Sequence, residues 1–143
     1  MTQRITRLLF APTLMVAFAV LIKGYVGAGD GFAAGIIAGL AFLMQFVAFG
    51  ERHVRRSLHT RYAPAVAMCG LALALACTFV PVLRGLPPLT HWPPPDAKVL
   101  HFGTLEILTA VAFDVGVFLL VVGFTVTALA LVARAEAREQ PEP

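Results

Sequence analysis

The sequence predicts an all-α integral membrane protein: four transmembrane helices in one domain spanning 1–143, with both termini in the cytoplasm. Three observations carry that prediction. Of 143 residues, 59% are hydrophobic and 13% charged, against about 45–50% apolar and about 25% charged in an ordinary soluble domain. The mean hydropathy is +0.83. So little charge cannot coat a water-soluble globule, which excludes a soluble enzyme, a nucleic-acid-binding domain and a disordered chain. Second, four runs approach the ~20 apolar residues that cross about 30 Å of hydrocarbon. Third, the basic residues fall unevenly between the connectors.

The first span is read over 8–26, with Arg7 and Lys23 snorkelling from its ends and Pro12 within its first turns. It is taken as a retained span rather than a cleaved signal sequence. The second, 31–50, and the third, 64–83, contain no charge. The fourth, 105–133, would be about 43 Å long as a helix, so it must tilt or protrude. Arg4 and Arg7, then Arg52, Arg55, Arg56 and Arg61, then Arg134 and Arg138 fall on one side of these spans. Lys23, Arg84 and Lys98 fall on the other. The richer side is the cytoplasmic one.

This asymmetry also accounts for Arg52, Arg55, Arg56 and Arg61, which orient the chain and meet anionic lipid headgroups. No aromatic residues interleave with them in a nucleic-acid-binding pattern. The outer connector, 84–103, holds Pro87, Pro88, Pro93, Pro94 and Pro95, which favour an extended path, and Trp92, an interfacial anchor. His91, Asp96 and His101 have no standard metal spacing, so no metal site is expected. Cys69 and Cys77 are eight residues apart in an apolar run and read as small hydrophobes. No cofactor motif is present, and the tail from Ala135 onward is expected to fray.

Some residues ask for a neighbour. Gly27, Gly31, Gly35 and Gly39 recur every four residues. At about 100° per residue that step drifts by only ~40°, so the glycines line one face suited to close helix approach. Gly116 is a packing position of the same kind. The partner is either another span of this chain or a different polypeptide of a complex, unless the stripe reflects only how common glycine is in membrane helices. Gln45 lies off the stripe, as polar glue between helices or as an interfacial residue. Asp114 is the most informative residue. Counted back from Arg134 it lies at the outer boundary; counted in from Leu105 it lies roughly 13 Å deep, where a carboxylate needs a partner. Glu106, eight residues earlier, is a second station on an ion path or simply a first-turn acid favoured by the helix dipole. Asp30 and Lys23 flank the glycine turn, as a local ion pair or as an ion-path element.

At these residues the chain resembles a known family. Gly24-Tyr25-Val26-Gly27-Ala28-Gly29-Asp30-Gly31-Phe32-Ala33-Ala34-Gly35 is similar to the first connector of the MnhB/MrpB family, small subunits of Mrp-type multisubunit sodium/proton antiporters, where the pattern reads approximately G-H-N-x-P-G-G-G-F-x-G-G. Phe113-Asp114-Val115-Gly116-Val117-Phe118-Leu119-Leu120-Val121-Val122-Gly123 resembles the family's F-D-[IV]-G-V-[YF]-L-x-V-x-G, the more specific of the two. Tyr25 stands in place of the usual His, Val26 of Asn, Ala28 of Pro and Asp30 of Gly, as in a divergent branch.

The resemblance implies an accessory subunit of a cation/proton antiporter related to respiratory complex I, a transport role without covalent catalysis or cofactor. Its partners would be other membrane subunits, the lipid bilayer, and Na+ and/or H+ as transported ions, in the cell (inner) membrane. Asp114 is the foremost ion-path candidate, with Glu106 and Asp30 behind it. Two alternatives stay open: the equivalent subunit of a redox-driven complex such as a membrane-bound hydrogenase, and a stand-alone four-helix membrane scaffold.

Overall fold

The structure, a computed structural model, describes residues 2–24, 29–50, 60–83, 85 and 103–139, and the surroundings of side chains over 3–24, 29–50, 61–83, 85 and 110–135. The elements are α1 (Thr2–Lys23), α2 (Asp30–Phe49), a 3-10 turn (Thr60–Tyr62), α3 (Ala63–Leu83) and α4 (Gly103–Glu139). All four α-helices are long and apolar enough to cross a membrane, and no strand occurs among the described residues.

Each boundary has a local cause. α1 starts six residues before the expected span, because its arginine-bearing first turns remain helical outside the apolar stretch. Pro12 therefore lies well inside the helix rather than near its start, and removes the N–H that would reach the Leu8 carbonyl. α2 follows Gly29, whose φ of 118° suits glycine, and ends at Gly50 (φ 77°), whose N–H donates to the Phe46 carbonyl. α4 continues to Glu139, so the first residues of the supposedly frayed tail are helical. At about 55 Å, α4 exceeds its own apolar window, Ala110–Ala135.

The helices form a row in the order α1, α2, α4, α3. α1 and α2 run antiparallel: Gln45 Nε2 donates to the Thr6 carbonyl (3.0 Å), Gln3 Nε2 donates to the Ala48 carbonyl (3.1 Å), and Phe10 meets Phe42 edge-on. Gln45 is buried, so it acts as glue between helices. α2 and α4 run parallel, with Gly31 against Asp114, Gly35 against Phe118 and Val121, and Gly39 against Thr125. α3 and α4 run antiparallel, with Gly70 against Gly116 and Leu120 and with Ala67 against Gly123. α4 is thus the shared inner helix. Phe46, Ala63, Val126 and Ala130 form a buried cluster where α2, α3 and α4 meet.

Of the two partners open to the glycine face, Gly31, Gly35 and Gly39 therefore use α4 of the same chain. Gly116 lies on the opposite side of α4, facing α3, and Gly27 lies outside the described residues. The sequence reading missed Gly70 and Gly123. A Cβ on either would come 2.5 Å from a backbone nitrogen of the neighbouring helix. Their signal was the run of small residues Ala63, Ala67, Gly70 and Ala74 at steps of three and four, opposite Gly116 and Gly123 seven apart.

Gln45→Leu tests the α1–α2 contact. The Thr6 carbonyl is already placed to accept within its own helix, so the loss is one interhelical bond. The expected change is about 0.6 kcal/mol, read as a small shift in thermal unfolding with both helices still inserted.

Candidate functional site

The helix directions put Arg4, Arg7, Arg61 and Arg134 at one end of the row and Lys23, Asp30 and Asp114 at the other. Arg61 is exposed, with its guanidinium 4.8 Å from the Tyr62 ring centroid. Arg52, Arg55 and Arg56 lie outside the described residues, as do His91, Trp92, Asp96 and His101. Cys69 and Cys77 are free thiols on α3.

Asp114 is level with the end of α1 and the start of α2, close to the N-terminal end of the apolar stretch of α4. It is nevertheless only 2% exposed. The residue stands near the end of the apolar stretch, yet the chain itself shields it from solvent.

Glycines make that enclosure possible. A Cβ on Gly24 would stand 2.8 Å from Asp114 Oδ2, and one on Gly31 would run into the backbone of Asp114, 2.8 Å from its Cα. The Gly29 N–H donates to both carboxylate oxygens, at 3.2 Å each. A carboxylate in an apolar setting needs such a donor. An ionised one offers about four acceptor positions, and among the described residues this single shared N–H serves both oxygens.

Asp30, in the first turn of α2, is half-buried. Its Cβ lies 3.3 Å from the same point beside Gly24 at which Asp114 Oδ2 lies 2.8 Å away. The fold therefore brings two of the three candidate acids to one glycine turn, although they are 84 residues apart in sequence. The side chain of Glu106 lies outside the described residues; its backbone belongs to α4, about 12 Å along the axis from Asp114.

Chemically, this end of the row offers a shielded carboxylate, a second carboxyl-bearing side chain close by, and backbone dipoles from a glycine turn. No nucleophile–base pair accompanies them among the described residues, and no group of three metal-ligating side chains occurs there.

The family described as "Domain related to MnhB subunit of Na+/H+ antiporter" matches residues 1–127. The chain is 31% identical to the B subunit of a Na(+)/H(+) antiporter from Bacillus subtilis (strain 168) over 134 residues, covering 94% of this chain and 92% of the relative. It is 27% identical to the protein of the same name from Alkalihalophilus pseudofirmus, covering 93% and 88%. It is also 33% identical to a Rhizobium meliloti protein named as the A/B subunit of a probable K(+)/H(+) antiporter, where 94% of this chain matches 13% of the relative. With the family model matching residues 1–127 and a 31% identical relative matched over 92% of its length, the chain belongs to the MnhB family.

Proposed function

We propose that this chain is a membrane subunit of a multisubunit cation/proton antiporter in the cell membrane, and that Asp114 helps line a path for the proton or the cation. The observation that carries the ion-path reading is the enclosure of Asp114: a carboxylate 2% exposed, held, among the described residues, by one backbone N–H shared between its oxygens. Its remaining acceptor capacity suits a proton or a desolvated cation. Ionisable groups within membrane spans are costly and usually serve such paths. Asp30, whose Cβ lies beside the same glycine, and Glu106, eight residues earlier on α4, are the further candidates for this path.

The named relatives support exchange of a cation for a proton, with both sodium and potassium among their names. In the Rhizobium relative, one polypeptide whose name joins A and B contains the matching stretch, which supports a large subunit as the neighbour. The described arginines at one end of the row support a reading with both termini in the cytoplasm.

Mild-detergent purification is the test. The chain is expected to co-purify with larger membrane subunits, and everted vesicles from cells lacking it are expected to lose cation-dependent proton exchange until it is resupplied. Elution as a free monomer with exchange intact in its absence would refute the subunit reading and favour a stand-alone scaffold. Iron–sulfur clusters in the co-purifying subunits would instead favour a redox-driven complex.

A further inference from the structure

The end of the row opposite Asp114 carries a second feature, independent of ion exchange. A concavity of about 340 Å³ opens there, lined by Gln3, Arg4, Arg7 and Phe49. Its walls are held in place: Gln3 Nε2 donates to the Ala48 carbonyl at the end of α2 (3.1 Å), and the Arg7 guanidinium stands 5.6 Å from the Phe49 ring centroid. Among the described residues two guanidinium groups and no carboxylate line it. Such forks match the oxygens of a phosphate, which they can hold through paired hydrogen bonds.

The surface below the concavity distinguishes the kind of phosphate. Leu8, Ala11, Met15, Phe18 and Ile22 follow Arg4 at steps of four and three, so they form one stripe down α1. All are exposed, Leu8 at 74% and Met15 at 72%. From Leu8 to Ile22 the stripe is about 21 Å long, more than the roughly 15 Å depth of one leaflet's hydrocarbon. A free phosphate would use the arginines and have no use for the stripe. A phospholipid uses both at once.

We infer that the Arg4–Arg7 concavity and the exposed α1 stripe below it form a binding site for one anionic phospholipid, with the headgroup phosphate between the two guanidinium groups and an acyl chain along Leu8, Met15 and Phe18. The charge complementarity sets the headgroup, and the unpartnered apolar face continuous with it sets the tail. The inference needs only that α1 spans the membrane, so it stands or falls separately from the antiport reading.

The probe is phosphatidylglycerol carrying a photoreactive group on its acyl chain, added to the detergent-purified protein together with whatever subunits it brings. Labelling is expected on α1 between Leu8 and Phe18. Unlabelled phosphatidylglycerol is expected to compete, whereas phosphatidylcholine and inorganic phosphate at the same concentration are not. The double substitution Arg4→Gln, Arg7→Gln is expected to weaken competition roughly 10- to 30-fold, and Arg61→Gln, an exposed arginine at the same end, to leave it unchanged. Labelling elsewhere, equal competition by phosphatidylcholine or by inorganic phosphate, or an equal loss in Arg61→Gln would each overturn the proposal. So would labelling of α1 that appears only after the other subunits are stripped away, since a polypeptide would then cover this face. The mapping and competition arms use the unaltered chain, and they decide the matter even where the double substitution disturbs assembly.

Discussion

Asp114→Asn is expected to reduce cation-driven proton exchange in vesicles at least ~10-fold, equivalent to about 1.4 kcal/mol, while the subunits still assemble. Asparagine has nearly the same shape and keeps an oxygen to accept the Gly29 N–H, which now meets the carboxylate at 3.2 Å. What it removes is the charge and the exchangeable proton. Reduced exchange with assembly intact supports the ion path, and full exchange removes Asp114 from it. Asp114→Glu adds a methylene where Gly24 already approaches Oδ2 closely, so it should retain the charge yet destabilise the turn by roughly 1–3 kcal/mol.

The second large effect is expected at Gly31. A methyl group there would run into the backbone of Asp114, and backbone inside a helix cannot swing aside. Gly31→Ala should cost about 1–3 kcal/mol or more and displace the start of α2 from α4. Gly39→Ala meets only the Thr125 side chain, at 3.0 Å, and should cost less. Thermal unfolding of the purified protein, or the yield of assembled complex, ranks the pair. A Gly39→Ala variant as damaged as Gly31→Ala would contradict the described packing of α2 on α4.

These two sites show what a single sequence displays and what it conceals. The four spans were legible because hydrocarbon demands long runs of apolar residues with internally satisfied backbone. Their ends were less so, since the helix at Thr2–Arg7 continues beyond the apolar stretch. The stripe of Gly31, Gly35 and Gly39 was visible in its period, but its partner was not. Which helix receives it depends on packing between segments some 80 residues apart. The role of Gly70 and Gly123 was obscured for a related reason: each is solitary, and its meaning lies in the facing helix. Asp114 stood out as an acid in an apolar run, yet its level depended on how far α4 slides along α2, which Gly31 and Gly24 determine.

The place of α4 has a consequence for biogenesis. The chain is made from its amino terminus, so the helix that joins the other two parts of the row is the last to leave the ribosome. α1 and α2 can pair as a hairpin as soon as they enter the bilayer, whereas the backbone-packed face of α3 waits for α4. A nascent chain stopped before Gly103 would therefore hold one finished pair and one unattached helix, with the glycine faces of α2 and α3 open to lipid or to any membrane chaperone able to shelter them.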